Sequence, residues 1–237
     1  MSLHDALTQQ HIELPDEQVT RLEQYCRLLW DWNEKINLTR HTDFEKFVVR
    51  DLLDSLAFAR FLQPNEKVLD VGSGGGVPGV VLAILRPDLS VTLTESVGKK
   101  ARVLEDIVTR LALPSAPSPQ GHKAASQSRL TVFHGRAEDR LAKHRQDSLV
   151  IRAVAPLAKL LRWFQPYWHR FGQMLVLKGP SWVEERGEAR HLGLLHDIGL
   201  RKLESYSMPG TGAESVLLLF CPKDRMQGDE EPASEPS

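Results

Sequence analysis

The sequence predicts an α/β fold of Rossmann-like type: a seven-stranded, mostly parallel sheet covered by helices and preceded by a helical extension. Three observations predict it. From Lys67 onward, short apolar runs alternate with helical stretches, the rhythm of a parallel sheet closed by crossover connections. The first apolar run leads into Gly72, Gly74, Gly75, Gly76 and Gly79, a dense glycine turn between a strand and a helix. Before residue 65 the apolar residues instead recur at three- and four-residue steps.

The helical extension spans residues 1–64. Leu22, Cys26, Leu29, Trp32 and Ile36 form one helical stripe, with the acidic pair Asp16 and Glu17 after Pro15 as its first turn. A second helical pattern covers residues 43–61, with Phe47, Leu52, Leu53, Leu56 and Phe58 near one side. Residues 37–42 form a polar connector between them. The α/β domain then occupies residues 65–222. Strands are expected at 67–72, 90–95, 130–134 and 148–153, and helices at 79–86, 97–112 and about 156–169. Further strands are expected at 174–177, 202–207 and 216–221. The last two are joined by so short a link that they form a hairpin, placing an antiparallel strand in the sheet. Residues 114–128, rich in Pro, Ser, Ala and Gln, read as an exposed excursion, and residues 223–237 as a disordered acidic tail.

Composition excludes little. At 237 residues, 41% hydrophobic and 26% charged, the chain is ordinary for a globular protein with a substantial core. Its net charge of -1 does not advertise nucleic acid, although removing the acidic tail leaves a mildly basic remainder. Cys26 and Cys221 are the only cysteines and read as reduced core thiols. No basic-then-apolar leader and no long apolar span is present, so the expected location is the cytoplasm, without membrane contact.

The glycine turn carries the first chemical inference. A strand followed by clustered glycines offers backbone N–H groups, as at Gly72 and Gly74, and lets a ligand approach where a Cβ would block it. Pro78 suits the first turn of the next helix. Residues 74–79 match G-x-G-x-x-G, but that pattern alone is weak evidence for a dinucleotide. Asp70 stands two residues before the turn, where it would repel a pyrophosphate and suit the sulfonium and ammonium of S-adenosylmethionine. Glu95, ending the second strand, is placed to accept ribose hydroxyls, a role common to both cofactors. S-adenosyl-L-methionine is the better fit, and the fold class narrows to a class I methyltransferase.

Two more positions follow from ligands binding beyond the carboxyl ends of parallel strands. After the third strand, Ala137 and Glu138 are placed to hold the adenine edge, though Glu138 is equally a dipole-favoured first-turn helix residue. Arg152 ends the very apolar fourth strand, where an arginine is rarely solvated by chance.

Absences narrow the methyl acceptor. The Asp/Asn-Pro-Pro-aromatic tetrapeptide that serves exocyclic amines is missing after the fourth strand, where residues 152–156 read Arg-Ala-Val-Ala-Pro. Neither cysteine is positioned as the nucleophile that pyrimidine C5 requires, and the histidines lack paired metal-ligand spacing. An acceptor that is already nucleophilic remains. Guanine N7 has an in-plane lone pair and no proton, so no general base is expected, and catalysis rests on alignment and electrostatics. Arg152 suits O6, a phosphate or the cofactor side, since bonding N7 would occupy the attacking lone pair.

The residues that carry a family resemblance occur in order: Trp-Asn-Glu-Lys-Ile-Asn-Leu-Thr at 32–39, Arg-Asp-Leu-Leu-Asp-Ser-Leu at 50–56, the glycine segment through Pro78-Gly79, Ser-Val-Gly-Lys-Lys at 96–100, Arg152-Ala153 and Leu-Lys-Gly at 177–179. Over residues 20–221 the chain resembles the ribosomal RNA small subunit methyltransferase G family, also called glucose-inhibited division protein B. The resemblance implies S-adenosylmethionine-dependent N7 methylation of guanine 527 in the 530 loop of 16S rRNA. It also implies cofactor contacts at Gly72, Val77, Ala137, Glu138 and Arg152. Departures are Asp51, where the family commonly has histidine, and Arg40, where it has a small residue.

On the substrate side, Asn37, Arg50 and Lys178 are the expected acceptor-side residues, Lys178 near the base. Arg40, His41, Lys99, Lys100 and Arg136 extend a phosphate-facing set, and a structured small-subunit particle is the expected form of the rRNA partner. The alternatives are RNA 2′-O methylation, which calls for an acid where Arg152 stands, and a non-catalytic cofactor-binding ribosome assembly factor.

Overall fold

The computed structural model describes residues 1–114, 128–210 and 212–226. The expected excursion at 114–128 lies outside them except for its two ends, and so does the expected tail beyond Met226.

Among the described residues, seven strands form one sheet: β1 (Lys67–Val71), β2 (Ser90–Glu95), β3 (Leu130–His134), β4 (Ser148–Arg152), β5 (Gln173–Lys178), β6 (Ile198–Ser207) and β7 (Glu214–Pro222). The spatial order is β3-β2-β1-β4-β5-β7-β6. Strands β1 to β5 are parallel, whereas β7 runs antiparallel to both β5 and β6, as the short hairpin link predicts. The chain winds outward from β1 to β3 and then returns to place β4 on the other side of β1. This reversal opens a crevice at the carboxyl ends of β1 and β4.

Alternating residues of each strand feed two cores. Leu69 and Val71 of β1, Leu149 and Ile151 of β4, and Met174 and Val176 of β5 face one side. There they meet α7 (Ala137–Lys143), α8 (Leu157–Phe164) and α9 (Trp182–His191). Val68, Val150, Leu175 and Leu177 face the other side, with α5 (Gly79–Leu85) and α6 (Gly98–Leu111). The amino-terminal helices pack onto this second face: α1 (Leu3–Gln9), α2 (Asp16–Asn33), α3 (Phe44–Lys46) and α4 (Leu53–Ala59). Tyr25, Leu29, Phe47 and Phe58 share a continuous core with Val80 and Leu104, so the extension is built into the sheet's covering layer. No described helix is long and apolar enough to cross a membrane.

Several elements differ from the sequence expectation. Residues 43–61 do not form one α-helix; a π-helical stretch, Phe47–Leu52, separates α3 from α4. Strand β6 starts at Ile198 rather than at residue 202, because as an edge strand it carries exposed charges and a bulge at Lys202/Glu204 that obscure its alternation. Helix α9 has only Ala189 buried, so no apolar stripe marks it. The disordered tail expected from residue 223 needs correcting at its start. Lys223–Arg225 form a short 3-10 turn, with Lys223 N donating to Asp197 O at 3.0 Å and Arg225 donating to Phe171 O at 2.9 Å. Both cysteines are buried and unpaired, Cys26 on α2 and Cys221 on β7.

Helix α5 starts so close beneath β1 and β2 that its first residue must be glycine. A Cβ on Gly79 would stand 2.3 Å from Leu93 Cδ2 and 2.5 Å from Asp70 Oδ2. Gly79→Ala is therefore expected to destabilise the chain by about 2–3 kcal/mol through overpacking, read as a lower midpoint in urea with an unchanged slope.

Candidate cofactor and acceptor site

The glycine turn leaves β1 and passes over the ends of β1 and β2. Gly72, Gly74 and Gly76 have φ of +69°, +57° and +107°, which side chains with a Cβ rarely adopt. Four hydrogen bonds fix its path. Gly72 N donates to Thr94 Oγ1 at 3.3 Å, Ser73 N to Thr94 O at 2.9 Å and Gly74 N to Glu95 Oε2 at 3.1 Å. From the opposite side, Tyr25 Oη of α2 donates to Gly75 O at 3.0 Å. The second oxygen of Glu95 accepts Val97 N at 2.7 Å, so this buried carboxylate ties the turn to the start of α6. Both oxygens keep acceptor capacity for a further donor.

Asp70 is not where the sequence argument places it. Its side chain is sealed beneath the turn: Oδ2 accepts Gly79 N at 3.0 Å, while Oδ1 is buried without a partner. Burial raises its carboxyl to about 6, against the lowering effect of the neighbouring Ser73 hydroxyl and of the hydrogen bond from Gly79 N. It shapes the loop from below and borders neither cavity described next.

Two adjoining cavities open at the crevice. The smaller, about 160 Å³, is walled by Gly72–Gly75 and Val77 on one side and by Leu29, Leu38 and Thr39 of the helical extension on the other. The larger, about 530 Å³, is lined by Asn37, Arg40, His41, Arg50, Asp54 and Met208. Leu38, Thr39, Asp51, Arg152 and Ala153 border both. The connector that forms the shared wall is held by Asn33, whose Oδ1 accepts Leu38 N at 2.8 Å and Thr39 N at 2.9 Å. Burial lowers the His41 imidazole below its ordinary value.

Arg152 stands at the junction. Its Nη1 donates to Asp51 Oδ1 at 2.7 Å and to Asp54 Oδ2 at 2.9 Å. Asp54 Oδ1 in turn accepts Tyr206 Oη of β6 at 2.6 Å. Burial opposes the charge on Arg152, but the two carboxylates outweigh it and hold the guanidinium above its usual pKa. Burial also raises the Asp54 carboxyl, despite Arg152 and Tyr206. Arg50 and Asp51 belong to the π-helical stretch, a rare geometry that is frequent at functional sites. Ala153 follows Arg152 with φ of +54°, a second sign of local strain at the same point.

The residues singled out from sequence divide into three groups. Gly72, Gly74, Val77 and Arg152 line the smaller cavity, and Asn37, Arg50 and Arg152 the larger. Glu95 lies under Gly74, and Ala137 and Glu138 open α7 beyond β3, away from both cavities; Glu138 sits 3.9 Å from Arg136. Lys178 requires correction. The structure does not bring it to either cavity: its ammonium pairs with Glu185 at 2.7 Å and donates to Ala155 O at 3.0 Å, so it braces β5 against α9. Arg40, His41 and Arg50 gather at the larger cavity, whereas Lys99, Lys100 and Arg136 do not line it. Sequence reasoning missed Asp51, Asp54 and Tyr206 as site residues. A signal existed for the first two: acids three apart share a helix face, and an arginine ending an apolar strand needs an acidic partner.

The cradle of left-handed glycines, the buried Glu95 under it and the adjoining open cavity suit an adenosine cofactor without phosphates. Fold and site together define a class I S-adenosylmethionine-dependent methyltransferase. Solved structures of that fold align with this chain. The O-methyltransferase from Bacillus cereus in complex with SAH aligns with a TM-score of 0.54 at 14% identity, covering 83% of this chain and 90% of that one. TrmK of M. capricolum, with S-adenosyl-homocysteine, aligns with a TM-score of 0.52 at 9% identity, covering 71% and 67%. In sequence, the GidB model, rRNA small subunit methyltransferase G, matches residues 18–209. The ribosomal RNA small subunit methyltransferase G of Rhodopirellula baltica is 46% identical over 209 residues, 88% of this chain and 84% of that protein. Its namesake in Clostridium novyi is 35% identical over 180 residues, 73% and 68% respectively. The chain belongs to the ribosomal RNA small subunit methyltransferase G family.

The burial of Asp70 has a measurable consequence. With its folded pKa raised to about 6, the group favours folding at low pH, and that contribution is lost as pH rises from about 4 through 6. The loss is on the order of 3 kcal/mol. Urea titrations at pH 4, 5, 6 and 7 are expected to show this decline in the native chain and to show it flattened in Asp70→Asn.

Proposed function

We propose that this protein transfers the methyl group of S-adenosylmethionine to N7 of guanine 527 in the 530 loop of 16S rRNA, presented within a small-subunit particle in the cytoplasm. The observation that carries the reading is the pair of cavities meeting at Arg152, one under the glycine turn and one ringed by Asn37, Arg40, His41 and Arg50. Membership of the family supports the substrate.

The bound cofactor supplies an electrophilic methyl on a sulfonium, so the protein's task is placement rather than proton transfer. Gly72, Gly74 and Val77 would hold the part of the cofactor seated in the smaller cavity, and its ribose and adenine would extend beyond that cavity toward Glu95, Ala137 and Glu138. Arg152 has donors beyond Nη1 that none of its described bonds uses, and these suit an acceptor such as guanine O6. Arg40 and Arg50 at the outer rim suit rRNA phosphates. No side chain is asked to remove a proton, because N7 carries none.

The experiment is mass analysis of 16S rRNA from a deletion strain, with and without the native gene. Loss of one N7-methylguanine from the 530 loop, restored by the native chain, is expected; an unchanged 530 loop overturns the reading. Arg152→Ala is expected to restore less than about 1% of the native rate, as removal of a positioned donor and of a buried ion pair.

A further inference from the structure

The proposed transfer forms the N7–CH3 bond and breaks the S–CH3 bond, with sulfur keeping the electron pair and no proton moving. One unit of positive charge therefore passes from the smaller cavity to the larger. An acid bordering both cavities stays beside that charge throughout.

Four acids lie near enough to consider. Asp70 is sealed under the glycine turn. Glu95 accepts Gly74 N and Val97 N and lines neither cavity. Asp54 lines only the larger cavity, and its two oxygens accept Tyr206 and Arg152. Asp51 lines both. It is only 5% exposed, its Oδ1 accepts Arg152, and its Oδ2 accepts no hydrogen bond from the described residues. That second oxygen is not sealed in the core but opens onto the cavities, where it can face a donor or a cation. Within the ion cluster itself two carboxylates face the single guanidinium of Arg152, while Arg40 and Arg50 line the larger cavity beyond it.

We propose that Asp51 is the counter-ion of the transferred charge: its open oxygen favours the charged cofactor over the demethylated product with its neutral sulfur, and then favours the cationic methylated base. The inference rests on the methyl-transfer reading above. It assigns a binding role to a carboxylate whose described bonds would otherwise only anchor Arg152.

Sulfonium and thioether ligands separate the two roles, because S-adenosylmethionine and S-adenosylhomocysteine differ in that charge and one methyl group. Calorimetric titration of the full chain with each, at fixed ionic strength, is compared for native, Asp51→Asn and Asp51→Glu proteins. Asp51→Asn is expected to weaken S-adenosylmethionine about tenfold and S-adenosylhomocysteine less than about twofold, a modest effect for one near charge pair in a protein. Asp51→Glu is expected to keep the native preference. If asparagine prevents folding, Asp51→Ser serves in its place with the same expectation. Equal weakening of both ligands, or no change in either, overturns the proposal and leaves Asp51 as an anchor for Arg152. Because the titration contains no RNA, the two readings fail separately. A selective loss of S-adenosylmethionine in a chain that does not modify the 530 loop overturns the proposed acceptor and leaves Asp51 as counter-ion to the cofactor.

Discussion

The site depends on one buried ion cluster. Arg152 ends β4 in an apolar setting, and a guanidinium there is tolerable only if carboxylates and hydrogen bonds replace its water. Asp51 and Asp54 provide them from the helical extension, and Tyr206 fixes Asp54 from the far edge of the sheet. Three parts of the chain distant in sequence are thereby tied to one point: the π-helical stretch with the α4 that continues it, the end of β4, and β6. Removing either carboxylate would leave a partly buried charge short of a partner, a loss on the order of 3–5 kcal/mol where burial is complete. The cluster thus joins the extension to the sheet, and two of its members, Asp51 and Arg152, border both cavities.

The glycine turn depends on the layers around it in the same way. Its backbone is held from below by Thr94 and Glu95 of β2 and from the side by Tyr25 of α2, so its shape is imposed as much as intrinsic. Asp70 fills the space beneath and spends one oxygen on the first N–H of α5. The helical extension is part of this cradle, since Leu29, Leu38 and Thr39 close the smaller cavity. Both cavities are therefore walled jointly by the helical extension and the sheet domain.

Much of this architecture was legible beforehand, for identifiable reasons. Strands β1, β2, β4 and β5 are buried on both faces, so their apolar runs stand out from their surroundings. The turn between β6 and β7 was short enough to force an antiparallel pair. Helix α9 and the start of β6 were illegible because polar, weakly buried elements leave no periodic stripe. Gly72, Gly74, Val77, Asn37, Arg50 and Arg152, singled out because glycines, a loop asparagine and an arginine after an apolar strand are locally conspicuous, all line the cavities. Lys178 was misjudged because its position at a strand's carboxyl end says nothing of Glu185, which reaches it from α9.

By itself the sequence determined the α/β class, the glycine turn and the kind of cofactor that turn admits. These follow from local periodicity and from conformations only glycine adopts easily. Tertiary structure alone decided which charges meet. Asp51 and Asp54 meet Arg152 across about a hundred residues of sequence, Tyr206 meets Asp54 across about 150, and Lys178 is drawn away by Glu185. The physical reason is that ion pairing depends on distance through space and on the water excluded around it, neither of which is encoded in any short run of residues.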